Sequence, residues 1–147
     1  MNKKVLFICK GNWFRSQTAE AIYNQITKSN DAFSVGTYVG AVDEPEGQVL
    51  KDLFKQNLSF LNVMKSHGMN LDDKVTKKLL PEMIDQFDIV VSMAEEPFIP
   101  DFLKNDKSVI WWQVENPTGF SNDEIYYENA YQKIYKLVSD LISKKGI

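Results

Sequence analysis

The sequence predicts a single three-layer α/β domain spanning 1–147, a four-stranded, mainly parallel twisted sheet with helices on both faces. Three observations predict it. Apolar, often β-branched runs at 5–8, 32–35, 87–93 and 109–114 alternate with segments of helical period. The runs at 5–8 and 89–91 are apolar at consecutive positions, as in strands covered on both faces. The 147 residues suffice for one domain with a sizeable core, and no repeat or linker divides them.

The elements follow in order. Residues 5–8 form the first strand, ending at Cys9, the one cysteine of the chain. Gly11 and Asn12 tolerate the backbone angles of a tightly curled loop. Residues 16–29 carry a stripe of Ala19, Ile22, Tyr23 and Ile26 at helical spacing, with Ser16 as the expected cap. After the second strand and Gly36, residues 38–47 have no period and form a loop expected to run near the strand ends. Tyr38 in it is either a wall of a binding mouth or a solvent-facing side chain. Asp43, Glu44 and Glu46 read as a solvated acidic surface, since they lack calcium-loop spacing.

Residues 48–67 read as one long helix, with Leu50, Leu53, Phe54, Asn57, Leu58 and Leu61 on one face and Gly68 as its stop. His67, the one histidine, belongs to no motif. Asp72 or Asp73 is expected to cap a helix running to Leu80, and Pro81 to open a short turn. Ser121–Asn122–Asp123–Glu124 reads as a capping box for the last helix. That helix keeps Tyr127, Tyr131, Ile134, Val138 and Leu141 on one face and stops at Gly146.

Composition excludes several function classes. A net charge of −3 with scattered basic residues is no nucleic-acid footprint. No stretch has the length of a membrane span, and the apolar run after Lys4 is too short for a signal peptide. One cysteine forms no intramolecular disulfide and no zinc finger. Neither a G-x-G-x-x-G nor a Walker lysine motif is present, which disfavours nucleotides. The expected setting is the cytoplasm, whose reducing chemistry suits a reactive thiol.

The chemistry gathers at 9–16. Cys9 stands at the carboxyl end of a strand, where open α/β sheets place ligands. The curled loop turns the backbone N–H groups of Lys10, Gly11, Asn12, Trp13, Phe14 and Arg15 inward, a concavity that suits anions. The start of the following helix adds partial positive charge. Arg15 offers a planar fork that matches two phosphate oxygens. A thiol among amides, a guanidinium and a helix dipole is a candidate nucleophile for phosphoryl or related oxyanion chemistry.

Cys9-x5-Arg15-Ser16, with Gly11–Asn12 inside and Ala19–Glu20 on the helix, resembles the low-molecular-weight protein tyrosine phosphatases. Thiol-dependent arsenate reductases share that family's fold. Weaker echoes follow in order at 34–37 (SVGT), 87–93 (FDIVVSM) and 112–117 (WQVENP), so the resemblance covers nearly the whole chain. It implies hydrolysis of aryl phosphate monoesters through a cysteinyl-phosphate on Cys9, with Arg15 and the amides of Lys10 to Arg15 holding phosphate. Asn12 locks the loop, Ser16 donates to the sulfur, and Ser34 is a supporting hydroxyl or a plain strand-end serine. Neither metal nor cofactor is implied. The implied partners are a phosphotyrosine protein or a small aryl phosphate, and inorganic phosphate or a similar oxyanion.

The chain also departs from the family pattern. The family's general-acid aspartate precedes a proline; here that position is Asn116, before Pro117. An amide does not deliver a proton, and loss of a general acid costs about 10²–10⁴-fold. Glu115 is adjacent; consecutive residues normally point in different directions, and rescue of the acid step by it stays a minor alternative. Thr118 and Gly119 replace an aromatic pocket wall, with Phe120 next. Trp13 either supplies that wall or packs under a neighbouring loop. Lys74 stands where the family often has a histidine that buttresses the loop, and Ala94 where it often has an aspartate. Three readings stay open: a phosphatase with a weakened acid step, an arsenate reductase using an external thiol, and a phosphate-binding module without turnover.

Overall fold

The computed structural model describes residues 3–115 and 124–147. The described residues build a four-stranded sheet from β1 (Val5–Cys9), β2 (Ala32–Gly36), β3 (Ile89–Ser92) and β4 (Ile110–Trp111), in the order β2-β1-β3-β4. All neighbouring pairs are parallel. Alternate residues of β1 feed two cores. Val5, Phe7 and Cys9 face α1 (Arg15–Thr27), α3 (Ser59–Ser66) and α5 (Glu124–Lys144). Leu6 and Ile8 face Val35, Leu79, Ile84, Val90 and Leu103, the last of these on α4 (Asp101–Lys104). Strands buried on both sides are apolar at consecutive positions, as β1 is throughout and β3 is up to its last residue, Ser92. None of the described helices is long and apolar enough to cross a membrane.

The topology fixes where a ligand can sit. Cys9 pairs with Gly36, Ile8 with Ser92, and Ser92 with Trp111, so the strands end along one edge. The chain moves from β1 outward to β2, then returns past β1 to β3. That reversal opens a crevice at the carboxyl end of β1. α1 begins there, six residues past Cys9 by sequence number.

Several expected elements differ. The segment 48–67 is two helices, α2 (Leu50–Leu53) and α3, rather than one. The side chain of Asn57 accepts the Ser59 backbone N–H at 3.1 Å, a local bond that competes with helix continuation. The break leaves Leu58 half exposed and turns Phe54 and Phe60 toward each other, ring centroids 5.1 Å apart. No helix runs from Asp72 to Leu80. Asp72 and Asp73 lie in a turn, and the backbone beyond them is extended because its polar groups bond to distant segments. Thr76 N–H donates to Gln48, Gly36 N–H to Lys77, and Leu79 N–H to Gly36. The fourth strand is two residues long, and Pro81–Gln86 is a 3-10 segment in place of the expected turn. The capping box at 121–124 lies, but for Glu124, outside the described residues.

Gly36 ties the sheet to the loop. A Cβ there would stand 2.6 Å from the Lys10 carbonyl oxygen, 2.6 Å from Val39 Cγ2 and 3.0 Å from Asn12 N. Two of these contacts are backbone, which cannot swing aside. Gly36→Ala is therefore expected to destabilise the protein by about 1–3 kcal/mol. The measurement is the denaturant midpoint at constant m; an unchanged midpoint would show that the loop yields freely.

Candidate active site

Cys9 ends β1 almost fully buried, 2% exposed. Its Sγ accepts the Asn12 backbone N–H at 3.2 Å and lies 3.0 Å from Ser16 Oγ. Ser16 Oγ also accepts the Asn12 side-chain amide at 2.7 Å, which leaves its proton free to point at sulfur. Ser16 does not cap α1. The helix begins at Arg15 behind Phe14, with no side-chain cap bond and no acidic residue in its first turn. Its positive end is thus unneutralised beside the loop. Among the described residues, the backbone N–H groups of Gly11, Trp13 and Phe14 have no protein acceptor.

Asn12 organises the loop. It is fully buried and left-handed, φ +56°. Its amide nitrogen donates to Ser16 Oγ and, at 3.1 Å, to Ser34 Oγ. Its carbonyl oxygen accepts Gln17 Nε2 at 3.1 Å and the Lys77 backbone N–H at 2.9 Å. An asparagine side chain has two donors and two lone pairs, so every one is used. Ser34 in turn donates to Glu20 Oε1 at 2.9 Å. The buried Glu20 carboxylate faces the ammonium groups of Lys74 at 3.7 Å and Lys77 at 3.9 Å. Burial holds the Lys77 ammonium below the ordinary lysine range, partly offset by Glu20, while Lys74 adds to the lowering and Cys9 opposes it.

Sequence reasoning missed Gln17 and Lys77, and gave Glu20 a place in the helix motif but no part in the site. Gln17 and the Lys77 amide brace the loop by donating to Asn12 Oδ1, while Lys74 faces Glu20. Gln17 is tied down by a second bond, from Nε2 to Val75 O at 3.0 Å.

Arg15 is 2% exposed and joins three segments. Its NH1 donates to Met93 O at 2.6 Å, Glu95 Oε2 at 2.8 Å and Val114 O at 3.0 Å. Its NH2 reaches Glu95 Oε1 at 3.4 Å. Ala94 offers no carboxylate, but Glu95, one residue later and with a longer side chain, supplies one. The guanidinium thus has a carboxylate partner although residue 94 is alanine.

Above Cys9 lies a cavity of about 270 Å³, lined by the loop residues Lys10, Gly11, Trp13, Phe14 and Arg15 and by Glu44, Phe54 and Tyr127. Trp13 forms one wall, edge-on to Phe54 at 5.9 Å. Phe14 packs beneath, edge-on to Phe60 and Tyr127. The Lys10 ammonium leans over the Phe98 ring at 4.1 Å. Tyr38 is not among the lining residues; it packs on Phe98, and its hydroxyl donates to Asp43. Asp43 and Glu46 meet solvent as expected, but Glu44 turns into the cavity. His67 stacks on Tyr131 at 3.8 Å and bonds Glu128 at 2.8 Å, a brace between α3 and α5. Glu115 lines a separate cavity with Glu95 and Trp111. Asn116, Thr118, Gly119 and Phe120 lie outside the described residues.

Asn12→Ala would leave the Lys77 N–H without its acceptor, remove one bond each from Ser34 Oγ and Gln17 Nε2, and place alanine at positive φ. The expected cost is about 1–3 kcal/mol or more, since each buried group left unsatisfied carries such a penalty. Thermal unfolding measures it. The same variant is expected to lose affinity for inorganic phosphate in calorimetry, because the loop is no longer held curled.

None of the curated proteins matches the sequence. Solved structures do. A low molecular weight protein tyrosine phosphatase from T. tengcongensis superposes with TM-score 0.71 at 23% identity, covering 97% of this chain and 99% of that one. Vibrio vulnificus Wzb, in complex with benzylphosphonate, gives TM-score 0.77 at 18% identity, covering 97% and 98%. An arsenate reductase from Archaeoglobus fulgidus gives TM-score 0.66 at 30% identity, covering 95% and 99%. The family model for low molecular weight phosphotyrosine protein phosphatase matches residues 4–145. With that match over nearly the whole chain, on a parallel sheet of the same fold, the protein belongs to the low molecular weight phosphotyrosine protein phosphatase family.

Proposed function

We propose that the protein hydrolyses aryl phosphate monoesters through a cysteinyl-phosphate, acting on a phosphotyrosine protein or a small aryl phosphate. The observation that carries this reading is the sulfur of Cys9, held by two hydrogen-bonding groups at the floor of a cavity. Unpartnered amides and the start of α1 surround it.

The thiolate is the form of cysteine that attacks. Sulfur bonds to phosphorus as the bond to the leaving oxygen breaks, and that oxygen takes the electron pair. The amides of Lys10 to Arg15 and the Arg15 guanidinium hold the three equatorial oxygens. They are in place beforehand, because Asn12 and Glu95 fix them. Water then attacks phosphorus, the P–S bond breaks, and phosphate leaves. Trp13, Phe54 and Tyr127 make an aromatic enclosure that suits a flat phenyl ester. Benzylphosphonate in the V. vulnificus relative is an occupant of that shape.

One observation favours a second reading, the 30% identity to the A. fulgidus arsenate reductase. With one cysteine in the chain, reduction would need an external thiol to release the arsenic adduct from Cys9. Arsenate consumption that depends on an added small thiol would select this reading.

Mixing the protein with nitrophenyl phosphate is expected to release a burst of nitrophenol equal to the enzyme present, with phosphate trapped on Cys9. Cys9→Ser is expected to abolish the burst. Arg15→Lys keeps the charge but not the fork, and is expected to lower kcat/KM by about 10²–10³-fold. Phosphate binding without any burst would leave the non-hydrolytic module as the function.

A further inference from the structure

Among the described residues, one requirement of the proposed chemistry is still to be met. Departure of a phenolate from phosphorus needs a proton. Position 116 holds an amide, which has none to give. Glu115 lines a different cavity. In the cavity above Cys9, the described residues include one carboxylic acid, Glu44.

Its placement is built. Glu44 closes a tight turn in which its N–H donates to Ala41 O at 3.1 Å and its own carbonyl accepts the Gly40 N–H at 2.8 Å. Oε1 lies 3.0 Å from where a Cβ on Gly11 would stand. The carboxyl therefore rests against the backbone of the loop that faces Cys9, and glycine at 11 leaves room for it. Among the described residues no hydrogen bond or ion pair occupies that carboxyl. The indole N–H of Trp13, which lies against the same face of Gly11, is also buried without a partner.

We infer that Glu44, in its protonated form, donates the proton to the leaving oxygen of the phosphate ester, and so is a catalytic residue of this chain. The inference rests on the phosphatase reading. An ionised carboxylate beside a dianionic phosphate is repelled; a carboxylic acid donates a hydrogen bond to the ester oxygen. Burial pushes the Glu44 carboxyl up, the Lys10 ammonium pulls it down, and Asp43 pushes it up again. Cys9, Arg15 and Tyr127 are the other titratable groups on the cavity wall. A bound dianion adds a further upward push. As the P–O bond breaks, the proton passes from Glu44 to the leaving oxygen and the phenol departs neutral. The carboxylate left behind takes a proton from the water that attacks the cysteinyl-phosphate, which restores the acid.

The test compares Glu44→Gln with the parent on phosphotyrosine and on nitrophenyl phosphate. The expected loss in kcat/KM is about 10²-fold or more on phosphotyrosine, whose leaving group is basic, and about tenfold or less on nitrophenyl phosphate. On phosphotyrosine the parent's kcat/KM falls as pH rises through the Glu44 pKa, because the acid form is lost; the variant lacks that limb. Inorganic phosphate binds the variant at least as tightly as the parent, since a neighbouring acid has gone. Equal losses on both substrates, an unchanged basic limb or weakened phosphate binding would overturn the assignment while a parental burst upholds the phosphatase reading. A parent that gives no burst on nitrophenyl phosphate overturns the reading and the assignment with it.

Discussion

The left-handed backbone of Asn12 and the four hydrogen bonds of its side chain are the constraint on which the site depends. A curled loop spends its backbone N–H groups on its interior, so it cannot hold itself together by backbone bonds. Something outside the backbone must hold it. Here one amide bridges Ser16 on α1, Ser34 on β2, Gln17 on α1 and the extended strand at Lys77. These elements are far apart in sequence, and each is anchored in the core. The loop inherits the rigidity of the sheet, and its amides stay aimed at the space above Cys9.

Arg15 makes the complementary point about charge. Burying a guanidinium costs several kcal/mol unless it is paired and fully hydrogen-bonded. Met93 O and Val114 O draw it to the carboxyl ends of two other strands, and Glu95 neutralises it. Glu95 is itself two-fifths exposed, so the ion pair keeps one foot in water and the desolvation cost is shared. An arginine anchored in this way presents its remaining N–H groups in one orientation, which is what a planar oxyanion contact demands.

Local chemistry made the site legible in the sequence, and distant chemistry hid the rest. Cys9, Gly11, Asn12, Arg15 and Ser16 lie within one turn of chain, so residue types alone announce the backbone angles and charges. The strands were legible because burial on both faces leaves an unbroken apolar run. The stretch 72–80 was not. Its helix-like signals are overridden by bonds to Gln48 and Gly36, partners that no local window contains. The split of 48–67 turned on one asparagine side chain bonding two residues ahead. Glu95 escaped notice because the eye looks for a carboxylate at 94, whereas geometry only asks that one reach the guanidinium.

Glu44 shows the same limit from the other side. In a loop with three acidic residues and no period, solvation is the sound expectation for each. Two of the three follow it, and the third is set apart by the Ala41–Glu44 turn and by the missing side chain at Gly11. A carboxyl that gives up part of its hydration and gains no hydrogen bond among the described residues is held there at a cost, since such groups normally turn outward to water. The surrounding fold is what opposes that turn. The left-handed turn of the loop falls on Asn12, and the missing side chain at Gly11 is the gap in which a carboxylic acid reaches the loop. On the proposed reading, delivery of the proton draws on one property of residue 11, the absence of a Cβ.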